Sequence, residues 1–392
     1  MRSRANRRGF GQAVTTISAV AAGIATSGLL IHAVSVALAT SRCRAGKPAS
    51  PPDPAPPPAS IVQPLRGVET FSRDTLASIF ALDYPDYEIL FCVADADDPI
   101  LPLVSGFIAA HPNVPAQLLI GDDKVSANPK LNNCVKGWKA ARHDWIVIAD
   151  SNVLMPPDYI QRLRARWRDD TGIVCSPPIG SAPEGFGAEL ECAFLNTFEA
   201  RWQYAGERVG YGFAQGKTML WRREVMERGG GIEALGVEIA EDAASTKLVH
   251  RQNLRAHLVD RPFAQPLGVR RFSDVWKRQL RWARLRRATF PLYYAPEAFT
   301  SSLPFALCAM IGADELHLSA FEALIGALAI WYVLEAALAK IAGWPLSWRS
   351  PFAWILRDAL LPWLWVQGWA GDNFEWRGNA MTVAEERLAD AG

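Results

Sequence analysis

From Gln12 to Thr40 the chain carries no Asp, Glu, Lys or Arg, and most of its residues there are Ala, Val, Ile or Leu. About 20 apolar residues cross the hydrocarbon core of a bilayer, so this run reads as a transmembrane helix. A cleaved secretory leader has an apolar core of only about 7–15 residues, which makes a retained anchor the better reading. Arg2, Arg4, Arg7 and Arg8 precede the run and Arg42, Arg44 and Lys47 follow it, so the positive-inside rule assigns no orientation. Everything after must fold beside a membrane or re-enter it. Residues 48–58, PASPPDPAPPP, fit a semi-rigid strut between the two. Beyond 296 the chain turns apolar and Trp-rich again, in segments near 298–313, 318–341 and 352–370. The middle segment is long enough to span, provided Glu322 and Glu335 are accommodated. The other two can span, re-enter or lie in the interface.

Between these ends, short apolar runs alternate with helical stretches. IVQPL (61–65), YEILFCVAD (87–95), AQLLIG (116–121), DWIVIAD (144–150) and GIVCSP (172–177) read as strands. DTLASIFAL, LPLVSGFIAAH, NNCVKGWKAAR and DYIQRLRARW between them read as helices. Strand and helix in alternation imply an α/β fold with a mainly parallel sheet flanked by helices. Ligands of such sheets sit at the carboxyl ends of the strands. The expected organisation is a basic tail (1–11), an anchor (12–40), a linker (41–59), an α/β domain (60–295), membrane-associated helices (296–372) and a tail (373–392).

The net charge of +1 gives no pull toward nucleic acid, and no nucleic-acid partner is expected. Six scattered cysteines without a CxxC pair argue for reduced thiols rather than a disulfide framework or zinc site.

Four clusters carry chemistry. CVADADDP (92–99) ends a strand in carboxylates; Asp95 and Asp97 can accept hydrogen bonds from a base or ribose, or merely shape an Asp-rich turn. Asp150-Ser151-Asn152 delivers a carboxylate and a carboxamide to another strand end. Such oxygens suit Mg²⁺ or Mn²⁺, which need one or two carboxylates plus substrate phosphates; a turn with capping duty is the plain alternative. Glu241-Asp242 opens a helix, where acidic residues cap anyway and where Asp242 can act as a general base. In KRQLRWARLRR (277–287), Arg278, Arg281, Arg284 and Arg287 recur at three-residue steps beside Arg286, Trp276 and Trp282. They suit either a phosphate clamp or a membrane-surface helix. Lys130 in NPKLNN is a further candidate phosphate contact.

The order Asp95, Asp150-Ser-Asn152, Glu241-Asp242, Arg278-Gln-Leu-Arg281-Trp282 resembles the signature of inverting family-2-like glycosyltransferases. More narrowly, PLRGVE (64–69), LDYPDYEILFCVADADDP (82–99), NVPAQLLIGDDKVSANPKLNN (113–133), AEDAASTKLV (240–249) and RQLRW (278–282) are similar to ceramide glucosyltransferases of family 21. That resemblance implies a Rossmann-like GT-A catalytic domain on the cytosolic face, a UDP-hexose donor (glucose or galactose), a divalent metal, Mn²⁺ or Mg²⁺, and ceramide or a similar lipid as acceptor. It implies that Asp95, Asp97, Lys130, Asp150, Asn152 and Glu241 help hold the UDP-sugar, and that Asp150 and Asn152 also hold the metal. It makes Asp242 the base, with Arg278, Arg281 and Trp282 around the diphosphate. No obligatory protein partner is implied. The host membrane is a bacterial inner membrane, or the Golgi in a eukaryote. Two departures stand out: Asn152 replaces the usual second carboxylate, and Glu199 stands where animal enzymes carry a His, which leaves hopanoid or diacylglycerol acceptors open.

Overall fold

The computed structural model describes residues 2–46, 55–376 and 379–383; most of the proline-rich spacer and the last residues of the tail lie outside the described residues. Helix α1 (Arg2–Cys43) extends the uncharged run at both ends. The α/β part follows as β1 (Ala59–Leu65), α2 (Ser72–Phe80), β2 (Tyr87–Val93), α3 (Leu101–Ala110), β3 (Ala116–Ile120), α4 (Pro129–Ala140), β4 (Trp145–Ala149), α5 (Tyr159–Arg164) and β5 (Thr171–Cys175). Next come β6 (Ile179–Glu184), α6 (Gly185–Cys192), a π-helical stretch (Ala193–Ala200), α7 (Arg201–Arg208), β7 (Thr218–Arg222), α8 (Arg223–Arg228), α9 (Glu241–Arg251), β8 (Arg255–Leu258), β9 (Ala264–Val269), α10 (Phe272–Thr289) and α11 (Pro291–Tyr294).

The main sheet has the order β3-β2-β1-β4-β7-β5-β8. Strands β1 to β4 are mutually parallel, as the alternation of strand and helix requires. Strand β7 is antiparallel to both β4 and β5. Every residue of β1 and β2 is buried, which is why apolar residues dominate both, with Ser60 and Glu88 paired to each other inside. Alternate side chains feed two cores. Val62 and Leu90 pack with Leu131, Val135 and Trp138 of α4, while Ile61, Ile89 and Phe91 pack with Leu76 and Ile79 of α2 on the other face. A smaller parallel pair, β6 with β9, leads into α10.

Three further helices, α12 (Ser302–Ile311), α13 (Ala320–Ala342) and α14 (Ser350–Trp369), are followed by the hairpin of β10 (Asn373–Trp376) and β11 (Asn379–Thr382). Helices α1 and α13 are long and apolar enough to cross a membrane, with only 33% and 28% of their apolar windows buried in the protein. Ile17, Ile24, Leu30 and Ile31 of α1 and Phe321, Ile330 and Val333 of α13 are left exposed, as lipid-facing side chains are. Ala25, Ala306, Ala309, Ala323 and Ala327 line the close contact of α1, α12 and α13, the small-residue packing by which membrane helices approach. At about 1.5 Å per residue α12 reaches only about 15 Å, half the hydrocarbon thickness.

The acidic residues of α13 and the charged pair of α14 have partners. Glu322 closes a capping box with Ser319 at the start of α13. Glu335 is fully buried and takes a bidentate pair from Arg357 of α14, at 2.9 Å on each oxygen. Arg357 Nε also donates to Asp358 at 2.8 Å, and Nη1 to the Ala193 carbonyl and Thr197 Oγ1, both at 3.1 Å. Thr197 in turn donates to Glu335 at 2.7 Å. The ion pair thus fastens the π-helical stretch to α13 and α14. On the other side, Arg42 at the end of α1 pairs with Asp260, with Glu207 at 2.7 Å, and donates to the Leu258 carbonyl.

Candidate active site

The chain leaves β1 toward β2 and β3, then returns to place β4 on the other side of β1. The crevice beyond the carboxyl ends of β1 and β4 is therefore the switch point where open α/β sheets hold ligands. Asp150 follows β4 directly, and its carbonyl accepts from Gln63 Nε2 of β1 at 3.5 Å. A cavity of about 1620 Å³ opens there. Asp95, Lys130, Asp150, Asn152, Glu241, Asp242, Arg278, Arg281 and Trp282 all line it, so nine positions spread over the sequence meet in one space. Asp97 does not line it. Its N–H donates to Asp95 Oδ1 at 3.0 Å, while Asp98 accepts from the Gly67 and Ile100 amides, so of this acidic run Asp97 only shapes the turn.

Two ammonium groups organise the centre. Lys130 Nζ lies 2.6 Å from Asp150 Oδ1, 2.6 Å from Glu241 Oε1, and donates to the Gly216 carbonyl at 2.6 Å. Those three bonds use all three of its N–H donors. Lys130 is therefore a crosslink between the two acidic motifs rather than the phosphate contact expected of it. The second ammonium was not foreseen. Strand β7 pairs antiparallel with β4, Ala149 opposite Thr218, so Lys217 falls opposite Asp150. Its Nζ donates to Asp150 Oδ2 at 2.8 Å and to Asn152 Oδ1 at 3.2 Å. Burial would push the Asp150 carboxyl up, but the charges of Lys130 and Lys217 hold it below the usual carboxylate range.

Asn128 caps α4 through its Oδ1 and donates from Nδ2 to Glu241 Oε2 at 2.6 Å and to the Ile239 carbonyl at 2.9 Å. Asp242 accepts from the Gly216 amide at 3.1 Å and from its neighbour Ala243 at 2.8 Å. Burial first, and the Glu241 charge second, push its carboxyl up to about 6. A carboxyl so placed is suited to taking a proton near neutral pH. Gly216 sits close under the cluster: a Cβ there would lie 2.9 Å from Glu241 Oε1, 3.3 Å from Lys130 Nζ and 3.4 Å from Asp242 Oδ2, so these side-chain ends would have to shift.

The arginines divide. Arg278 pairs with the buried Glu191 of α6, which Arg270 also approaches at 3.4 Å, and its guanidinium stands 5.8 Å from the Trp282 ring. Arg281 lines the cavity. Arg284 instead donates to the Asn373 carbonyl and Arg287 pairs with Asp372, so these two fasten the C-terminal hairpin and belong to no phosphate clamp.

A divalent cation between Asp150 and Asn152 meets a position already taken. Lys217 Nζ bridges both expected ligand oxygens, Lys130 holds the remaining Asp150 oxygen, and among the described residues no group of three His, Cys, Asp or Glu side chains converges as metal ligands do. As arranged, the donor set fits an ammonium and does not fit a resident metal.

A family model for glycosyl transferase family 21 matches residues 27–389. The chain belongs to family 21. Ceramide glucosyltransferase 1 of Caenorhabditis elegans is 26% identical to it over 342 residues, covering 85% of this chain and 73% of the relative. The ceramide glucosyltransferase of Komagataella phaffii is 38% identical over a shorter stretch of 98 residues, 24% of this chain and 19% of the relative. Among solved structures, the mannosyltransferase PcManGT from Pyrobaculum calidifontis, in complex with GDP-Man and Mn²⁺, matches with a TM-score of 0.50 at 17% identity, over 91% of this chain and 98% of that one. That likeness speaks for the fold, which is GT-A. As a family 21 member the protein is a hexosyltransferase, and its two long apolar helices make it a membrane-associated one.

In this family 21 chain the cavity continues from Asp242 to Glu199 on the π-helical stretch and on to Phe290 and Tyr293. Burial pushes the Glu199 carboxyl up to about 7 against the pull of Arg286, which is itself held bidentately by Glu297 at 2.8 and 2.9 Å. Nearby Leu292, Tyr293 and Phe299 expose apolar surface. The volume exceeds the roughly 300–1,000 Å³ of a typical small-molecule pocket, enough for two substrates side by side.

Proposed function

We propose that this protein transfers a hexose, glucose in first place, from a UDP-sugar to the primary hydroxyl of ceramide, with inversion to a β-glycoside. The single observation that carries the reading is the raised carboxyl of Asp242 beside the Asp150–Lys130–Glu241 crosslink, in one cavity at the switch point. Asp242, oriented by the Gly216 and Ala243 amides, takes the acceptor's hydroxyl proton. The oxygen attacks the anomeric carbon as the bond to the diphosphate breaks, and its electron pair leaves with UDP. Arg281 and Arg278, the latter steadied by Glu191, offset the charge growing on the leaving group, and Trp282 shapes the sugar side. Asp95 accepts from the uridine. The apolar surface at Leu292 and Phe299 suits an acceptor arriving from lipid. Residues 60–295 form the catalytic domain on the cytosolic face of a bacterial inner membrane.

Glu199, in place of the animal His, favours a second reading in which the acceptor is a hopanoid or diacylglycerol. The test is incubation of the purified chain with labelled UDP-glucose or UDP-galactose and each acceptor in turn, products identified by mass spectrometry. A β-glucosylceramide supports the proposal. Product only with another lipid selects the second reading, and no UDP release with any acceptor refutes both.

A further inference from the structure

We propose that Lys217 is the resident cation of the donor site, so that the diphosphate is bound and released without a divalent metal. The inference rests on the functional reading above and adds a residue to it.

The register of β7 against β4 fixes the lysine. Ala149 pairs with Thr218, the Asp150 amide donates to the Lys217 carbonyl at 3.0 Å, and the side chain then has only the crevice to enter. There Nζ sits between Asp150 Oδ2 at 2.8 Å and Asn152 Oδ1 at 3.2 Å. This is the position a cation bridging those two oxygens would take. An ammonium has three N–H donors. Lys130 spends all three on Asp150, Glu241 and Gly216, and so has none for a substrate. Lys217 spends two and keeps one, on a side chain that lines the cavity. That remaining donor is the one positioned for a phosphate oxygen.

The charges agree. Asp150 and Glu241 contribute two negative charges, and Lys130 and Lys217 two positive ones. These four charges cancel before the donor arrives, with the ionised Asp242 adding one negative charge beside them. Asn152 explains why one ammonium suffices: a second carboxylate at that position would leave an excess negative charge facing the diphosphate, whereas the carboxamide adds an oxygen and no charge. A metal entering between Asp150 and Asn152 would have to expel Lys217 from two charge-assisted or neutral hydrogen bonds and leave three cationic charges around a single carboxylate pair.

The experiment uses the full chain in nanodiscs. UDP binding is measured calorimetrically in EDTA and in Mn²⁺, and Mn²⁺ uptake by the paramagnetic resonance signal of the free ion. The wild type is expected to bind UDP equally well in both media and to take up no Mn²⁺. Lys217→Met is expected to lose UDP affinity in EDTA by roughly 10- to 100-fold, the worth of one hydrogen bond to a charged group, and to regain it in Mn²⁺ with stoichiometric Mn²⁺ uptake. Wild-type UDP binding abolished by EDTA overturns the inference, and that arm needs no variant to fold. So does a Lys217→Met chain, folded by circular dichroism, whose UDP affinity and Mn²⁺ uptake match the wild type. Wild type that binds no UDP in either medium overturns the functional reading and this inference together.

Discussion

Replacing Arg357 with Leu removes the guanidinium from a site where it, Glu335 and Asp358 have no solvent exposure. Glu335 would lose both bidentate bonds and keep only Trp331 Nε1 at 3.1 Å and Thr197 at 2.7 Å. Asp358 would keep Ser302 and Tyr332. Breaking one side of a buried pair costs about 3–5 kcal/mol, because the remaining charge is stranded, which is roughly 10²- to 10⁴-fold in the folding equilibrium. Taking out both partners, Arg357→Leu with Glu335→Leu, leaves Asp358 with its own donors and strands no carboxylate without one, although Trp331 Nε1 and Thr197 lose Glu335 as acceptor. The double variant is therefore expected to recover at least half of the loss. Denaturation by SDS in mixed micelles, followed by Trp fluorescence, measures both. The same single change frees the Ala193 carbonyl and Thr197, so acceptor KM should rise while UDP affinity holds. A single variant within about 1 kcal/mol of wild type, or a double variant no better than the single, refutes the account of these charges as a mutually satisfied set.

Asp242→Asn is expected to lower turnover by about 10²- to 10⁴-fold with UDP affinity unchanged, measured by product formation and calorimetry. Because burial and Glu241 raise this carboxyl to about 6, kcat/KM of the wild type should climb as pH rises through that value and then level. The neutral acid is the form the fold prefers, so its contribution to stability is full below its ordinary pKa of 3.8 and is lost as pH rises through about 6; Asp242→Asn should flatten that part of the stability profile. Gly216→Ala drives a methyl against Glu241 and should cost on the order of 10- to 100-fold in kcat/KM, with the loss traced by steady-state kinetics. Arg42→Ala leaves Glu207 with Arg166 at 3.5 Å and His257 at 3.2 Å, and is expected to cost about 1–3 kcal/mol and to speed amide exchange over residues 255–260.

The sheet was readable because buried strands are short, mainly apolar runs, as β1, β2, β4 and β5 are, and the edge strand β3 kept enough apolar residues to be seen despite its exposure. The meeting of Asp95, Asp150, Asp242 and Arg281 was readable from motif order. What pairing decides was not. Lys217 reaches Asp150 only because β7 runs antiparallel, and the sole local hint is Gly216-Lys217 ahead of the apolar TMLW. Glu191 finds Arg278 across 87 residues of chain, with nothing in either neighbourhood to name the other. The arginine spacing misled for a geometric reason. Steps of three fall about 60° short of a full turn, so by Arg287 the series has moved half-way around the helix from Arg278. One face of α10, from Arg278 to Thr289, lines the cavity, while Arg284 and Arg287 on another reach the C-terminal hairpin. Glu335 and Arg357 each looked like an interruption of an apolar segment, since neither segment alone carries its neutralising partner.

The wide winding at Ala193–Ala200 fixes a length as well as a shape. The wide turn takes up residues that ordinary coiling would not hold in place, and a further residue inserted beyond it would turn everything after it by about 100° about the axis. Arg201 would leave Ser35 of the membrane anchor, and Tyr204 would leave the Val259 carbonyl of the catalytic half. A side-chain exchange on this stretch, at Glu199 for instance, leaves those two attachments in place, whereas an insertion would unhook the enzyme from its own N-terminal helix.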